Sequence, residues 1–457
     1  MNRPNVLWII TDQLRKHSLS CYGDVNAVTP NINSLANEGI LCHNAVSNCP
    51  VCMPFRGSLF TGMLSHHNGV KVHGDLLAPD KKTIAHIYKS AGYRTSYVGK
   101  WHLASTVSNQ FNGGEYWVHP LMRGGFEDWY GFDVSNSYYN TSYSHGEMAD
   151  EYKLSGHQTD GLTDVSICYL NKISRQTAQP WFHVISYEAP HGGKGSGQEK
   201  YPSNPAPSEF EAHYLPEKIV LRPNIDISQE EYIRNRTCGY YAMIEHLDKN
   251  IGRLIKCLKE CKMYDNTLIV FLSDHGEMLG SHGCFEKCVA LEESIGIPLI
   301  FKMPFNISVK GEYKSLISGI DIYPTCAGLC GIDCLDNLDG EDLSENLINK
   351  KETDRDVLIQ WIGQSRYHFG DFPYRALRTS RYCYCVGKYC DGGKGFDAVA
   401  RKHTNFLYDL KEDPYEQNNL FNSIHFQDLQ KVLHNKLTRK LIQYGDLPDF
   451  INYKLHY

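Results

Sequence analysis

Four apolar runs in this chain each end in polar residues with chemical potential. Asn5–Thr11 leads into Asp12, and Arg94–Val98 into Gly99-Lys100-Trp101-His102. Trp181–Tyr187 leads into Ala189-Pro190-His191, and Thr267–Leu272 into Ser273-Asp274-His275. Short, continuous apolar runs of this kind read as strands buried on both faces. Between them lie helical patterns: Thr29–Glu38 capped and stopped by Gly39, Lys82–Ala91 before Gly92, Asp160–Ile173, and the long Glu230–Lys262. Pro298–Met303 and Asp321–Leu329 continue the alternation. Strands alternating with helices predict an α/β fold with a mainly parallel sheet. The carboxyl ends of such strands line one edge, where ligands bind. Asp12, His102, His191 and Asp274 are therefore expected to meet there, although they are far apart in sequence.

At 457 residues the chain is long enough for a large and a small domain. The polar stretch Gly340–Thr353 marks the boundary, giving a catalytic α/β domain over 1–350 and a small domain over 351–457. In the latter, Val357–Trp361, Tyr374–Thr379, Tyr382–Val386 and Phe406–Leu410 read as short strands, and Phe426–Gln443 as a helix. That pattern predicts an antiparallel α+β unit. A net charge of −6 gives no basic face for nucleic acid. No run approaches the ~20 apolar residues that cross a bilayer, so no membrane partner is expected. Asn5–Ile10 is too short for the apolar region of a signal peptide, and the expected location is cytoplasmic. The 16 cysteines are accordingly read as free thiols that pack in the core, with Cys326, Cys330 and Cys334 spaced for one helix face, as are Cys257/Cys261 and Cys284/Cys288. The C-x2-C pair Cys49/Cys52 lacks the second pair that a zinc site needs.

Three motifs carry the chemistry. Cys52-Met-Pro-Phe-Arg56, followed by Thr61-Gly62, has the form C-x-P-x-R-x4-T-G, and Cys52 is expected to open a helix that Thr61-Gly62 closes. Gly92–Leu103 ends in Gly-Lys-Trp-His, which places a fixed cation and an imidazole two residues apart. Ser273-Asp-His-Gly-Glu-Met-Leu-Gly-Ser-His282 is followed by Lys287. Asp274 and His275 offer two metal ligands from one turn, Asp12 offers a third, and Gln13 adds an amide oxygen. In this order the motifs resemble those of the type I, formylglycine-dependent sulfatases. Leu407–Leu420 is similar to the closing segment of that family. Two departures stand out: Gln13 replaces a second Asp, and Phe55 sits where Ser or Ala is frequent.

The resemblance implies an alkaline phosphatase-like fold and a sulfuric ester hydrolase acting on a sulfated carbohydrate. It implies that a maturation enzyme oxidises Cys52 to formylglycine, whose hydrate is the nucleophile. One divalent metal would be held by Asp12, Gln13, Asp274 and His275. Calcium suits the oxygen donors, with manganese or magnesium as alternatives. Arg56 would hold the diol, Lys100 and Lys287 the sulfuryl oxygens, His191 would protonate the leaving alcohol, and His102 would take the second hydroxyl proton. Two other readings stand beside this one. One is a phosphonate monoester or phosphodiester hydrolase of the same superfamily, whose members resemble this chain in pairing Asp with Gln and Asp with His. The other is a catalytically silent protein that binds sulfated glycans. Candidates for the substrate rim are His66, His67, His73, Tyr138–His145, Arg366, His368, Arg375 and Arg378, with the Gly- and Pro-rich loop His191–Pro207 bordering the site.

Overall fold

The computed structural model describes residues 3–104, 116–176, 179–363, 372–388 and 404–451. Its centre is a ten-stranded sheet in the order Gly311–Tyr313, Ile40–Cys42, Leu299–Lys302, Thr267–Ser273, Asn5–Asp12, Trp181–Pro190, Arg94–Lys100, Asp128–Phe132, Ser142–His145, Glu151–Lys153. Asn5–Asp12 lies between Trp181–Pro190 and Thr267–Ser273 and is parallel to both. Arg94–Lys100 continues the parallel block on the far side of Trp181–Pro190, and Asp128–Phe132 extends it. The expected alternation ends at Leu299–Lys302, which runs antiparallel to Thr267–Ser273.

The central strands are buried at nearly every position because both faces are covered. Val6, Trp8 and Ile10 join one core with Phe182, Val184 and Val270. Leu7 and Ile9 join the other with Ile185, Ile269 and Phe271, beneath the helices Gln158–Ser174 and Glu230–Glu260. The helix Pro30–Glu38 follows the predicted bounds, but the Thr29 side chain does not cap it. Asp248 on the long helix instead accepts from the Asn31 and Ile32 amides at 3.1 and 2.8 Å. That carboxylate does the work of a local cap from a distant segment.

The small sheet has four antiparallel strands in the order Val357–Trp361, Tyr374–Arg378, Tyr382–Gly387, Asn405–Asp409. Leu433, Leu437 and Leu441 of the helix Gln427–Gln443 cover one face. The other face packs Ile359, Trp361, Cys385 and Phe406 against Cys49, Val51, Met278, Cys288 and Leu291 of the large sheet's loops. The segment before Cys52 and the loop bearing Lys287 are thus braced from below by the small sheet. All fifteen cysteines among the described residues are free thiols. Cys284 and Cys288 lie in a loop, and Cys334 falls beyond the end of the helix Ile322–Leu329, so neither spacing marks a helix face. No helix among the described residues is long and apolar enough to cross a membrane.

Candidate active site

Parallel register aligns the strand ends: Thr11 is level with Ser273, Asp12 with Pro190, and Gly99 with Ser186. The residues that follow are delivered to one edge. Cys52 reaches the same place as the first residue of the helix Cys52–Thr61, every residue of which is buried. Gly62 ends that helix in the left-handed region at φ 67°, with its amide donating to the Ser58 carbonyl at 2.8 Å.

Ligand atoms of Asp12, Cys52, Asp274 and His275 all lie within 4.8 Å of one another. The Cys52 Sγ is 3.1 Å from His275 Nε2 and 3.5 Å from Asp12 Oδ1. His275 Nδ1 faces the Gly276 carbonyl at 2.9 Å. A proton on Nδ1 leaves the Nε2 lone pair aimed at the cluster. Asp274 Oδ1 accepts from the Gln13 and His275 amides, while its buried Oδ2 accepts no hydrogen bond and faces Arg56 Nη2 at 3.3 Å. An aimed imidazole lone pair and a carboxylate oxygen that accepts no hydrogen bond fit a cation. Gln13 stands at the rim of this set in a left-handed conformation, φ 67°. Its Oε1 accepts from Lys287 Nζ at 2.5 Å and its Nε2 donates to Glu277 and Glu286.

Cations surround the cluster. Arg56 is fully buried, 3.3 Å from both Asp12 and Asp274, and donates to the Lys100 carbonyl and to Ser186 Oγ at 3.0 and 2.8 Å. Lys100 Nζ is 2.9 Å from Asp12 Oδ2. Burial alone would raise the Asp12 carboxyl, but Lys100, His191, Arg56 and His275 outweigh it and hold the group well below the usual range. Burial, then Asp12, pushes the Cys52 thiol up to about 12. Lys287 Nζ also donates to His191 Nε2 at 2.8 Å, and His191 Nδ1 donates to the Gly192 carbonyl at 2.6 Å. Burial and the Lys287 charge pull His191 down to about 3. His102, at φ 57°, is likewise buried and held well below its ordinary value by burial and Lys100.

All ten residues expected at the site from sequence therefore lie at one sheet edge. Of the rim candidates, His73 stands beside His102 with ring centroids 5.0 Å apart, and the Tyr138 hydroxyl donates to the His191 carbonyl at 2.6 Å. His66, His67, Arg375 and Arg378 point elsewhere. His66 meets the Tyr444 carbonyl and His67 pairs with Asp339. Arg375 is held by Asp446 and Arg378 by Glu292, so these arginines join the small sheet to its surroundings. Arg366 and His368 lie outside the described residues. Sequence reasoning missed Ser186, Glu188, Glu277 and Glu286. Glu188 carried a signal, as the one acidic residue in the buried run Trp181–Pro190, and Glu277 stood inside the Ser273–His282 motif without a role assigned to it; Ser186 and Glu286 carried none.

Comparison with known proteins agrees with this geometry. The sulfatase family profile matches residues 4–332, and the N-sulphoglucosamine sulphohydrolase C-terminal profile matches 280–443. The chain belongs to the sulfatase family and is a sulfuric ester hydrolase. An ulvan-active sulfatase from Formosa agariphila is 33% identical over 448 residues, which is 97% of this chain and 82% of that one. An N-acetylglucosamine-6-O-sulfatase from Bacteroides thetaiotaomicron is 25% identical over 523 residues, covering 97% and 87%. The crystal structure described as the sulfatase yidJ of Bacteroides fragilis superposes with a TM-score of 0.83 at 28% identity, covering 99% and 98%. A phosphonate monoester hydrolase from Agrobacterium radiobacter shares the fold, with a TM-score of 0.74 at 20% identity, covering 99% and 97%.

Proposed function

We propose that this chain hydrolyses the sulfate ester of a carbohydrate, using formylglycine made from Cys52 by a maturation enzyme and one divalent cation. The convergence of Cys52 with Asp12, Asp274 and His275, ringed by Arg56, Lys100 and Lys287, carries the reading. A thiol pushed up to about 12 is neutral at pH 7, so unmodified Cys52 is a poor nucleophile. The hydrated aldehyde offers instead two hydroxyls on one carbon: one to attack sulfur, and one whose deprotonation expels sulfate. Asp12, Asp274 and His275 would hold the cation, calcium by donor type, with Gln13 Oε1 joining once it is shared with Lys287. A cation bound there supplies positive charge beside the nucleophile and the sulfuryl group.

The chain's own residues do the rest. Lys100 and Lys287 would offset charge on the sulfuryl oxygens, and Arg56 would hold the residue 52 hydroxyls. His191 is neutral before substrate arrives. A bound sulfate would offset the Lys287 charge that suppresses it, and the Lys287–His191 pair then protonates the leaving alcohol. His102, buried and neutral, with its Nδ1 lacking a hydrogen-bond partner, serves as the base for the second hydroxyl. The relatives described as active on ulvan and on N-acetylglucosamine-6-O-sulfate support a carbohydrate ester.

The test is a panel on matured enzyme: 4-nitrophenyl sulfate, 4-nitrophenyl phenylphosphonate, a phosphodiester and several sulfated monosaccharides. The proposal expects the highest kcat/KM on a sulfate. A higher value on the phosphonate or diester would favour the reading that Gln13 keeps open. Tight binding of a sulfated sugar without turnover would favour a silent binding protein.

A further inference from the structure

Glu188 is fully buried in the strand Trp181–Pro190, three residues before His191, and has no part in the chemistry above. Its carboxylate meets only donors. Oε1 takes the Ser135 amide at 3.0 Å and faces Lys100 Nζ at 3.5 Å. Oε2 takes the Asn136 amide at 2.9 Å and Gln158 Nε2 at 2.7 Å. A carboxylate offers only acceptors, and four donors converge on its two oxygens.

These contacts run to two separate parts of the site. On one side Lys100 is suspended between two carboxylates, Asp12 at 2.9 Å and Glu188 at 3.5 Å. Lys100 already pairs directly with Asp12, and Glu188 supplies the second anion that fixes where the ammonium sits; without it Lys100 is tethered from one carboxylate only and its position for the sulfuryl oxygens is lost. On the other side Glu188 pins the turn at Ser135–Asn136, where Asn136 adopts φ 50°. Tyr138 follows directly, and its hydroxyl fixes the His191 carbonyl. The Asn136 carbonyl accepts from Lys194, and the Lys194 carbonyl accepts from Tyr138, which ties the loop after His191 to the same turn.

We infer that Glu188 is a positioning residue for the proposed sulfate-ester hydrolysis, tethering Lys100 by a second contact beside Asp12 while fixing the turn that orients His191. This inference rests on the reading of Lys100 as a sulfuryl contact. It predicts an uncommon kinetic signature. Removing an anion makes the cavity more positive, so ground-state binding of an anionic ester does not weaken. Misplacing Lys100 costs only in the transition state.

The experiment uses matured enzyme and 4-nitrophenyl sulfate, with inorganic sulfate as inhibitor. Glu188→Gln is expected to lower kcat roughly 10- to 100-fold, the range for loss of a residue that orients a catalytic ligand. KM should stay equal or fall, and inhibition by sulfate should tighten. On 4-nitrophenyl sulfate, whose aryl leaving group needs little protonation by His191, the same substitution in a Lys100→Ala background should change kcat by less than about twofold, because the remaining effect runs through Lys100. A raised KM with unchanged kcat, or losses that multiply across the two sites, would overturn the inference. Lys100→Ala with wild-type turnover would instead overturn the reading beneath it. Should Glu188→Gln fail to fold, Gln158→Met removes one anchor and keeps the charge. It should lower kcat with KM unchanged, and a rise in KM alone would count against Glu188.

Discussion

Burial acts on Cys52 and His183 in opposite directions for one reason: it favours the neutral form of each. His183 lies wholly inside the sheet, with Nδ1 2.8 Å from Ser96 Oγ and Nε2 3.2 Å from Ser166 Oγ, and burial draws it down to about 3. Unfolded, a histidine titrates near 6.5. Between these values the unfolded chain binds the extra proton, so stability falls as pH drops below about 6.5. This group alone is expected to remove about 2 kcal/mol of stability between pH 7 and pH 5. Denaturant midpoints should therefore fall more steeply with acidification in wild type than in His183→Asn; equal slopes would count against it. At the candidate metal cluster, Asp274→Ala should abolish both turnover and stabilisation by calcium. Calcium at a hundredfold excess over Kd should stabilise wild type by about 2.7 kcal/mol. A calcium-dependent Tm shift retained in the variant would place the cation elsewhere.

Gly99 shows how an element constrains the site. It sits at φ +100° one residue before Lys100, and a Cβ there would lie 2.1 Å from the Ser186 carbonyl oxygen on the neighbouring strand. Neither the left-handed backbone nor the close approach of the strands accommodates a side chain. Gly99→Ala should cost about 3 kcal/mol or more by urea denaturation and displace Lys100. A change within about 0.5 kcal/mol would show that the strands can part. The central strands were legible because burial on both faces makes them mostly apolar, and their polar ends marked the site. Short strands were not: Ile40–Cys42 and Gly311–Tyr313 have three residues each, too few for a period to emerge. Glu188 was visible as an acid in an apolar run, yet its purpose needs Lys100 and Ser135, which only the fold brings near. Arg375 and Arg378 failed as rim residues for the converse reason, since nothing in sequence announces that Asp446 and Glu292 await them.

At the scale of the molecule, the small sheet and the large one share a core around Val51, Cys288, Trp361 and Phe406. Arg378 reinforces that contact through Glu292 at 2.7 Å, and Lys16 meets the same carboxylate at 3.0 Å. Wild type should unfold in one transition by both near-UV and far-UV circular dichroism; two separated transitions would mean independent domains. Arg378→Leu should cost about 3 kcal/mol, because one partner of a buried pair is left behind, and a neutral result would show that Lys16 suffices. The whole assembly serves to hold residue 52 against Asp12, Asp274 and His275. Peptide mass spectrometry of residue 52 in active enzyme tests that most directly. The account predicts an aldehyde in place of the thiol, in a fraction that tracks specific activity across preparations. Fully active protein carrying only the intact Cys52 thiol would contradict it.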